Sequence, residues 1–272
     1  MDRQRTEMCN KELLVVSFGT TSAESRELNI GAVEDAIEAA VGDEYNVRRC
    51  FTSQMIINII KKREGVETDT VAEAVDRAER NGIRELVVQP THLMNGLEYD
   101  KLKRILEDRR ASFERVSLGD PLLTSEEDLK RVAKALVKAS EGYDDGRTAF
   151  VFMGHGTEAA SNDVYNKMQR VLDSMGRKNF YIGTVEAKPS LEDVIAAVKG
   201  GSCSRVVLRP LMLVAGNHAI NDMSSPDDPD SWYSRFSAEG YRTICVIEGL
   251  GQLPDIRDIY VDHASRAITF EN

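Results

Sequence analysis

Three segments of this chain place a metal- or proton-handling side chain where an apolar run stops. In FVFMGHGTE (150–158), His155 stands between two glycines directly after a strand-like run. Imidazole can bind a divalent metal or move a proton near neutral pH. Three roles are open to it: a packed core histidine, part of a phosphate-binding turn, or a ligand-meeting group. Neither GxGxxG nor a Walker lysine accompanies it. Open α/β sheets collect ligands at the carboxyl ends of their strands, so its position favours a ligand.

LMLVAGNHAINDM (211–223) repeats the pattern, with a strand-like run, a glycine and then His218. Taken alone, His218 reads equally well as a cap or a packed side chain. TVEAKPS (184–190) closes another strand-like run on Glu186, with Pro189 opening the following helix at a tolerated position. A lone glutamate there is ordinarily solvated. Neighbouring strands lie about 4.8 Å apart, so three strand ends of one small sheet come within roughly 10 Å. Two imidazoles and a carboxylate would then make a three-ligand set for a divalent first-row metal. GxSxG and HExxH are both missing, and no serine or cysteine adjoins GHG as a nucleophile triad requires.

Positioning these groups takes a regular alternation of elements. ELLVVSF (12–18), VRRCF (47–51), RELVVQP (84–90) and FERVSL (113–118) read as strands. So do TAFVFM (148–153), FYIGTV (180–185), RVVLRPLML (205–213) and TICVIEGL (243–250). Ile30, Val33, Ile37 and Val41 follow helical spacing, as do Val164, Met168, Val171 and Met175. Helices are also expected over 54–63, 70–80, 98–109, 190–199 and 254–267, with Gly65 and Gly82 as terminators. Strands separated by helices imply βαβ units and parallel sheets.

The halves echo each other. SFGT (17–20) lies on GHGT (154–157), and ELVVQPTHLMNGLE (85–98) lies on RVVLRPLMLVAGNH (205–218) when Pro90 meets Pro210. This pattern describes a duplicated α/β chain with its boundary within 120–147, EGYDDGR (141–147) serving as linker. The expected division is an N-terminal lobe of 1–140 and a C-terminal lobe of 141–272, with the terminal helix free to pack across.

The 272 residues, 42% hydrophobic, suffice for one large or two medium cores. A net charge of −10 argues against nucleic acid as partner. The polar first twelve residues and the four-residue run LLVV offer neither a secretory segment nor a membrane span of about 20 residues, so a cytoplasmic protein without a membrane partner is expected. Cys9, Cys50, Cys203 and Cys245 form no CxxC pair and read as small packed hydrophobes.

GHGTEAASNDVY, TVEAKPSLEDV and LRPLMLVAGNHAINDM, with SFGTTSAESRE and QPTHLMNGLEYDKL in the first half, together resemble the anaerobic cobalt chelatases. These are the sirohydrochlorin cobaltochelatases of the CbiK type, within the class II chelatases that include ferrochelatase. The resemblance spans essentially the whole chain, in order. It implies two similar lobes, each a four-stranded parallel sheet flanked by helices, with the active site in the cleft between them. It implies insertion of Co²⁺ into sirohydrochlorin, on the anaerobic route to cobalamin, without a nucleotide.

The family's His-Glu-His set falls on His155, Glu186 and His218, as metal ligands and catalytic groups, with His155 the first choice for the base. In the first lobe Phe18 stands where His155 stands, and Glu98 where His218 stands. Thr20, His92, Met94 and Glu98 are therefore expected to wall the substrate, with His92 either a proton acceptor or packed. Arg49, Lys101, Lys188 and Arg209 are candidate partners for the substrate carboxylates. His263 has no counterpart and reads as structural or solvated. Fe²⁺ or Ni²⁺ as the metal, a non-catalytic tetrapyrrole or metal carrier, and a homo-oligomer remain open.

Overall fold

The computed structural model describes residues 10–269. Cys9 lies outside them. The elements, in chain order, begin with β1 (Lys11–Ser17), α1 (Ala23–Ser25), a π-helical stretch Arg26–Gly31 and α2 (Ala32–Val41). Then come β2 (Asn46–Phe51), α3 (Gln54–Glu64), α4 (Val71–Arg80), β3 (Glu85–Pro90), α5 (Leu97–Arg109), β4 (Arg115–Leu118) and α6 (Glu126–Ser140). The second half holds β5 (Thr148–Gly154), α7 (Asp163–Ser174), β6 (Phe180–Thr184), α8 (Leu191–Lys199) and β7 (Arg205–Pro210). It closes with a second π-helical stretch Ala219–Met223, α9 (Trp232–Ala238), β8 (Arg242–Cys245) and α10 (Pro254–Thr269).

Two four-stranded parallel sheets result, with orders β2-β1-β3-β4 and β6-β5-β7-β8. The same strand order in both halves is the outcome expected of a duplicated chain. Ser125–Ile256 forms one compact unit, and the described residues on either side of it form the other. The division therefore falls after Thr124, within the expected 120–147 interval but ahead of the 140/141 division, and again inside α10, the terminal helix expected to be free to pack across. EGYDDGR lies within the second unit, between α6 and β5.

Strand position explains the hydrophobic pattern. β1 and β5 are central and covered on both faces, so LLVV and AFVFM are continuous apolar runs with every residue fully buried. The edge strand β8 mixes exposed and half-buried positions, and β2 does so until its last two residues, Cys50 and Phe51, which are buried. In the first unit, Leu14, Val16, Leu86 and Val88 pack with Val71, Ala74, Val75 and Ala78 of α4 and Leu102 of α5. In the second, Val151, Met153, Val206 and Leu208 pack with Val194 and Val198 of α8, Trp232 and Phe236.

Local signals set the helix starts. Thr70, Ser125 and Ser190 each accept from the third residue of their helix, and Glu73, Asp128 and Asp193 reach back to complete capping boxes. Two expected strands prove shorter. β7 ends at Pro210 and β8 at Cys245, with one ladder bond following each: Leu211 N–H still donates to Met153 and Val246 N–H to Leu208.

Cys50 is buried, and burial pushes its thiol up to about 12; Cys245, less enclosed, rises to about 11. Both suit packing and disfavour thiolate chemistry. His263 is buried too, its Nδ1 lying 3.0 Å from the Asp120 carbonyl. Among the described residues no helix is long and apolar enough to cross a membrane.

Candidate metal centre

His155 is the first residue beyond β5, and Glu186 lies two beyond β6. The ladder between these strands continues past their ends, with Val185 N–H donating to Gly154 O at 3.0 Å and Glu186 N–H to His155 O at 2.9 Å. Main-chain bonding thus sets the two side chains next to each other. His155 Nδ1 is 3.4 Å from Glu186 Oε2 and 3.1 Å from the Gly156 carbonyl. A carbonyl only accepts, so Nδ1 carries the hydrogen and Nε2 keeps the lone pair.

The glycines on either side of His155 have separate causes. A Cβ on Gly154 would lie 2.2 Å from the Tyr165 ring, which packs against the strand end. Gly156 has φ +87°, and a Cβ there would also meet the Ala187 main-chain nitrogen at 2.9 Å. Asn162 fastens the same loop: its Oδ1 accepts from Thr157 N–H at 3.0 Å, and its Nδ2 donates to the Lys188 carbonyl at 2.7 Å. The GHG turn and the loop carrying Glu186 are thereby tied together.

His218 arrives from β7 at the head of the π-helical stretch Ala219–Met223. Ala219 and Met223 are fully buried against the sheet, which anchors that turn. His218 and Asp222, also four residues apart, pair with Nδ1 to Oδ2 at 2.5 Å. The carboxylate accepts, so here too Nε2 holds the lone pair.

The rings of His155 and His218 meet edge to face, with centroids 4.5 Å apart. One ligand atom from each of His155, Glu186 and His218 lies within 4.8 Å of the others, and no other such trio of His, Cys, Asp or Glu occurs among the described residues. Their side chains are 47, 54 and 35% exposed, so an ion can reach them from solvent. Nitrogen and carboxylate donors in this number suit a first-row divalent ion with positions left for other ligands.

The remaining expected residues are distributed differently. Thr20 is buried, and its Oγ1 accepts from Ser22 N–H within its own turn. Met94 is half-buried in the loop after β3. Glu98 pairs with Lys101 at 2.7 Å. His92 is enclosed, with neither ring nitrogen hydrogen-bonded, and burial lowers its pKa to about 4 against a small opposing pull from Glu98.

The candidate cations are already engaged. Arg49 forks onto Glu34, Lys188 holds Asp193 at 2.8 Å, and Arg209 donates to Ala139 O and Glu248. Arg209, only 3% exposed, is withdrawn from solvent. Tyr165, Asn162 and Asp222 support the donors yet do not stand at strand ends, so a reading built on strand ends passes over them. The signal for Asp222 is its spacing of four from His218, which shares a face only once the turn is helical.

A doubled parallel α/β fold with imidazole and carboxylate donors gathered at strand ends is the make-up of a metal-handling protein. The family profile described as cobalt chelatase (CbiK) matches residues 11–269, and the chain belongs to that family. It is 37% identical to the sirohydrochlorin cobaltochelatase of Salmonella typhimurium over 258 residues, covering 95% of this chain and 96% of the relative. With the sirohydrochlorin cobaltochelatase CbiKC of Nitratidesulfovibrio vulgaris it shares 29% identity, over 98% of this chain and 94% of the relative.

Among solved structures, SirB from Bacillus subtilis with Fe³⁺ matches at TM-score 0.66 and 13% identity, over 95% of this chain and 96% of that one. The sirohydrochlorin chelatase SirB of Bacillus subtilis subspecies spizizenii, in complex with cobalt, matches at 0.61 and 12%, over 94% of both chains. At such identities the likeness establishes the shared fold.

Proposed function

We propose that this chain is an ATP-independent sirohydrochlorin cobaltochelatase. It takes Co²⁺ and sirohydrochlorin as substrates and works on the anaerobic route to cobalamin. Family membership supports the reaction class. The observation that carries the site is the convergence of donor atoms from His155, Glu186 and His218 within 4.8 Å, the first two just past adjacent strand ends and the third on the turn that follows β7.

His155 and His218 present Nε2 lone pairs, and Glu186 contributes the charge that holds the cation. Two pyrrole N–H protons must leave the macrocycle as the metal enters. Once the ion passes to the macrocycle nitrogens, Nε2 of His155 is released and takes up one of these protons as general base, and the other passes to the freed Nε2 of His218 or to solvent. A macrocycle bent so that its lone pairs face the ion would be held in the geometry of the transition state. Because Arg49, Lys101, Lys188 and Arg209 are paired within the protein, substrate carboxylates that use them must compete for them or exchange partners.

Absorbance of sirohydrochlorin mixed with Co²⁺ under single-turnover conditions tests this reading. Insertion faster than the spontaneous reaction supports the chelatase, and no acceleration turns the reading towards a tetrapyrrole carrier. His218→Ala should slow insertion by about 10² or more if that ring takes part in metal and proton transfer. A wild-type rate in this variant removes His218 from the site. Iron is the second metal to compare, since one structural neighbour is described with Fe³⁺ and another with cobalt. The same assay with Co²⁺, Fe²⁺ and Ni²⁺ ranks the three.

A further inference from the structure

The geometry points to Asp222 as a positioning residue that fixes the tautomer and heading of His218. This rests on the reading of His218 as a metal donor. The two side chains lie four residues apart across the π-helical stretch Ala219–Met223, with His218 Nδ1 2.5 Å from Asp222 Oδ2. Ala219 and Met223, one position further along in each case, are fully buried and pin the turn to the sheet. The backbone that carries the pair is therefore held, while the pair itself faces outward.

Free imidazole exchanges its proton between two nitrogens, and each tautomer offers its lone pair in a different direction. A carboxylate oxygen at hydrogen-bond distance accepts only, so it commits Nδ1 as the N–H and Nε2 as the donor to an ion. Carboxylate–histidine–metal relays use this arrangement, and loss of the outer carboxylate costs metal affinity about 10- to 100-fold.

The two rings of the centre are held by unlike partners. His155 Nδ1 lies against the Gly156 carbonyl, a neutral acceptor built into its own turn, at 3.1 Å. No side-chain substitution can remove that carbonyl. His218 depends instead on a side chain, so the two rings should respond differently when Asp222 is changed.

The experiment is Co²⁺ binding to the full chain without tetrapyrrole, monitored by the visible absorption of the bound ion. It is paired with ¹⁵N NMR of the histidine side chains without metal. Asp222→Ala should weaken Co²⁺ binding about 10- to 100-fold. It should also convert His218 from a single Nδ1–H tautomer to a mixture, leaving the His155 signals unchanged. Asp222→Asn, whose side-chain oxygen still accepts from Nδ1–H, should recover the tautomer and part of the affinity, which a merely structural role would not predict.

The Asp222 side chain is 41% exposed, and the asparagine variant guards against a folding defect in the alanine one. Wild-type affinity and a single His218 tautomer in Asp222→Ala overturn the positioning role. If His218→Ala still loses Co²⁺, the donor reading survives that result. If His218→Ala also binds Co²⁺ as the wild type does, the donor reading itself has failed.

Discussion

The two units are built on one backbone and carry different chemistry. Val16 pairs with Pro90 in one sheet as Met153 pairs with Pro210 in the other. Gly19 and Gly156, each two residues past the first strand of its sheet, share left-handed φ values of +97° and +87°. Even the extra hydrogen bond past the strand ends recurs: Ser53 N–H donates to Phe18 O as Glu186 N–H donates to His155 O. At the three donor positions the first unit has Phe18, Ser53 and Glu98. The turn thus requires glycine for its geometry but does not require imidazole, so His155 answers to something other than folding. Phe18, 52% exposed at the matching place, shows how little that position owes to the core.

The largest effect comes from exchanging chemistry between the units. His155→Phe, which installs the first unit's residue, should cut the cobalt insertion rate about 10² or more. Its thermal unfolding should stay close to that of the parent. Substantial unfolding would mean that His155 packs after all.

A second asymmetry concerns His92, which occupies the place of Met212 if Pro90 is laid on Pro210. Its folded pKa is near 4 against an ordinary 6.5, because the ring is enclosed. Between those values the unfolded chain takes up a proton that the folded chain refuses, so stability falls as pH falls. The slope approaches about 1.4 kcal/mol per pH unit in that window. Denaturant titrations from pH 7 to 4 should show a shallower decline in His92→Met, and parallel declines would remove the enclosed histidine as the cause.

The paired glycines give a smaller and more discriminating contrast. A side chain at Gly156 meets the main chain of Ala187, whereas one at Gly19 meets the side chains of Phe51 and Ile56 at 3.0–3.1 Å. Left-handed backbone costs either alanine variant about 1–2 kcal/mol. Gly156→Ala should lose more, since side chains shift more readily than backbone; equal losses would mean that strain in φ is the whole effect. Smallest of all, Thr70→Ala and Ser190→Ala remove matching capping boxes. Each should lose about 1 kcal/mol by chemical denaturation, and a clear inequality would mark one unit as the less forgiving.

The strand ends and their donors are legible in the sequence because central parallel strands advertise themselves. LLVV and AFVFM are unbroken apolar runs, and the residue just beyond such a run, His155 in the second unit, must sit at a strand's carboxyl end. Glu186 follows the edge strand β6, and His218 lies eight residues past β7. α6 carries signals of the same quality that are easily overlooked. Ser125 and Asp128 form its capping box, and Leu129, Val132, Ala133 and Leu136 keep helical spacing. Its charged surface and the neighbouring EGYDDGR make the region read as a linker, which pulls the expected boundary to 140. The π-helical turn behind His218 is a different case. A five-residue excursion leaves no period to count, so the pairing with Asp222 emerges only from the folded backbone. The engaged state of Arg49, Lys101, Lys188 and Arg209 is hidden for a similar reason, since their partners lie on other elements or depend on local rotamers.

The exposure of the three donors bears on what kind of grip this protein keeps. An ion that serves as a permanent brace is enclosed by a full set of ligands, and closing the last coordination position makes its departure slow. On the proposed assignment, two rings and a carboxylate, each one-third to one-half exposed, would hold one side of the ion and leave the other to solvent or to an incoming molecule. Such a grip trades residence time for throughput. Cargo held that way would be surrendered readily, and each surrender would restore the empty hand for the next cycle.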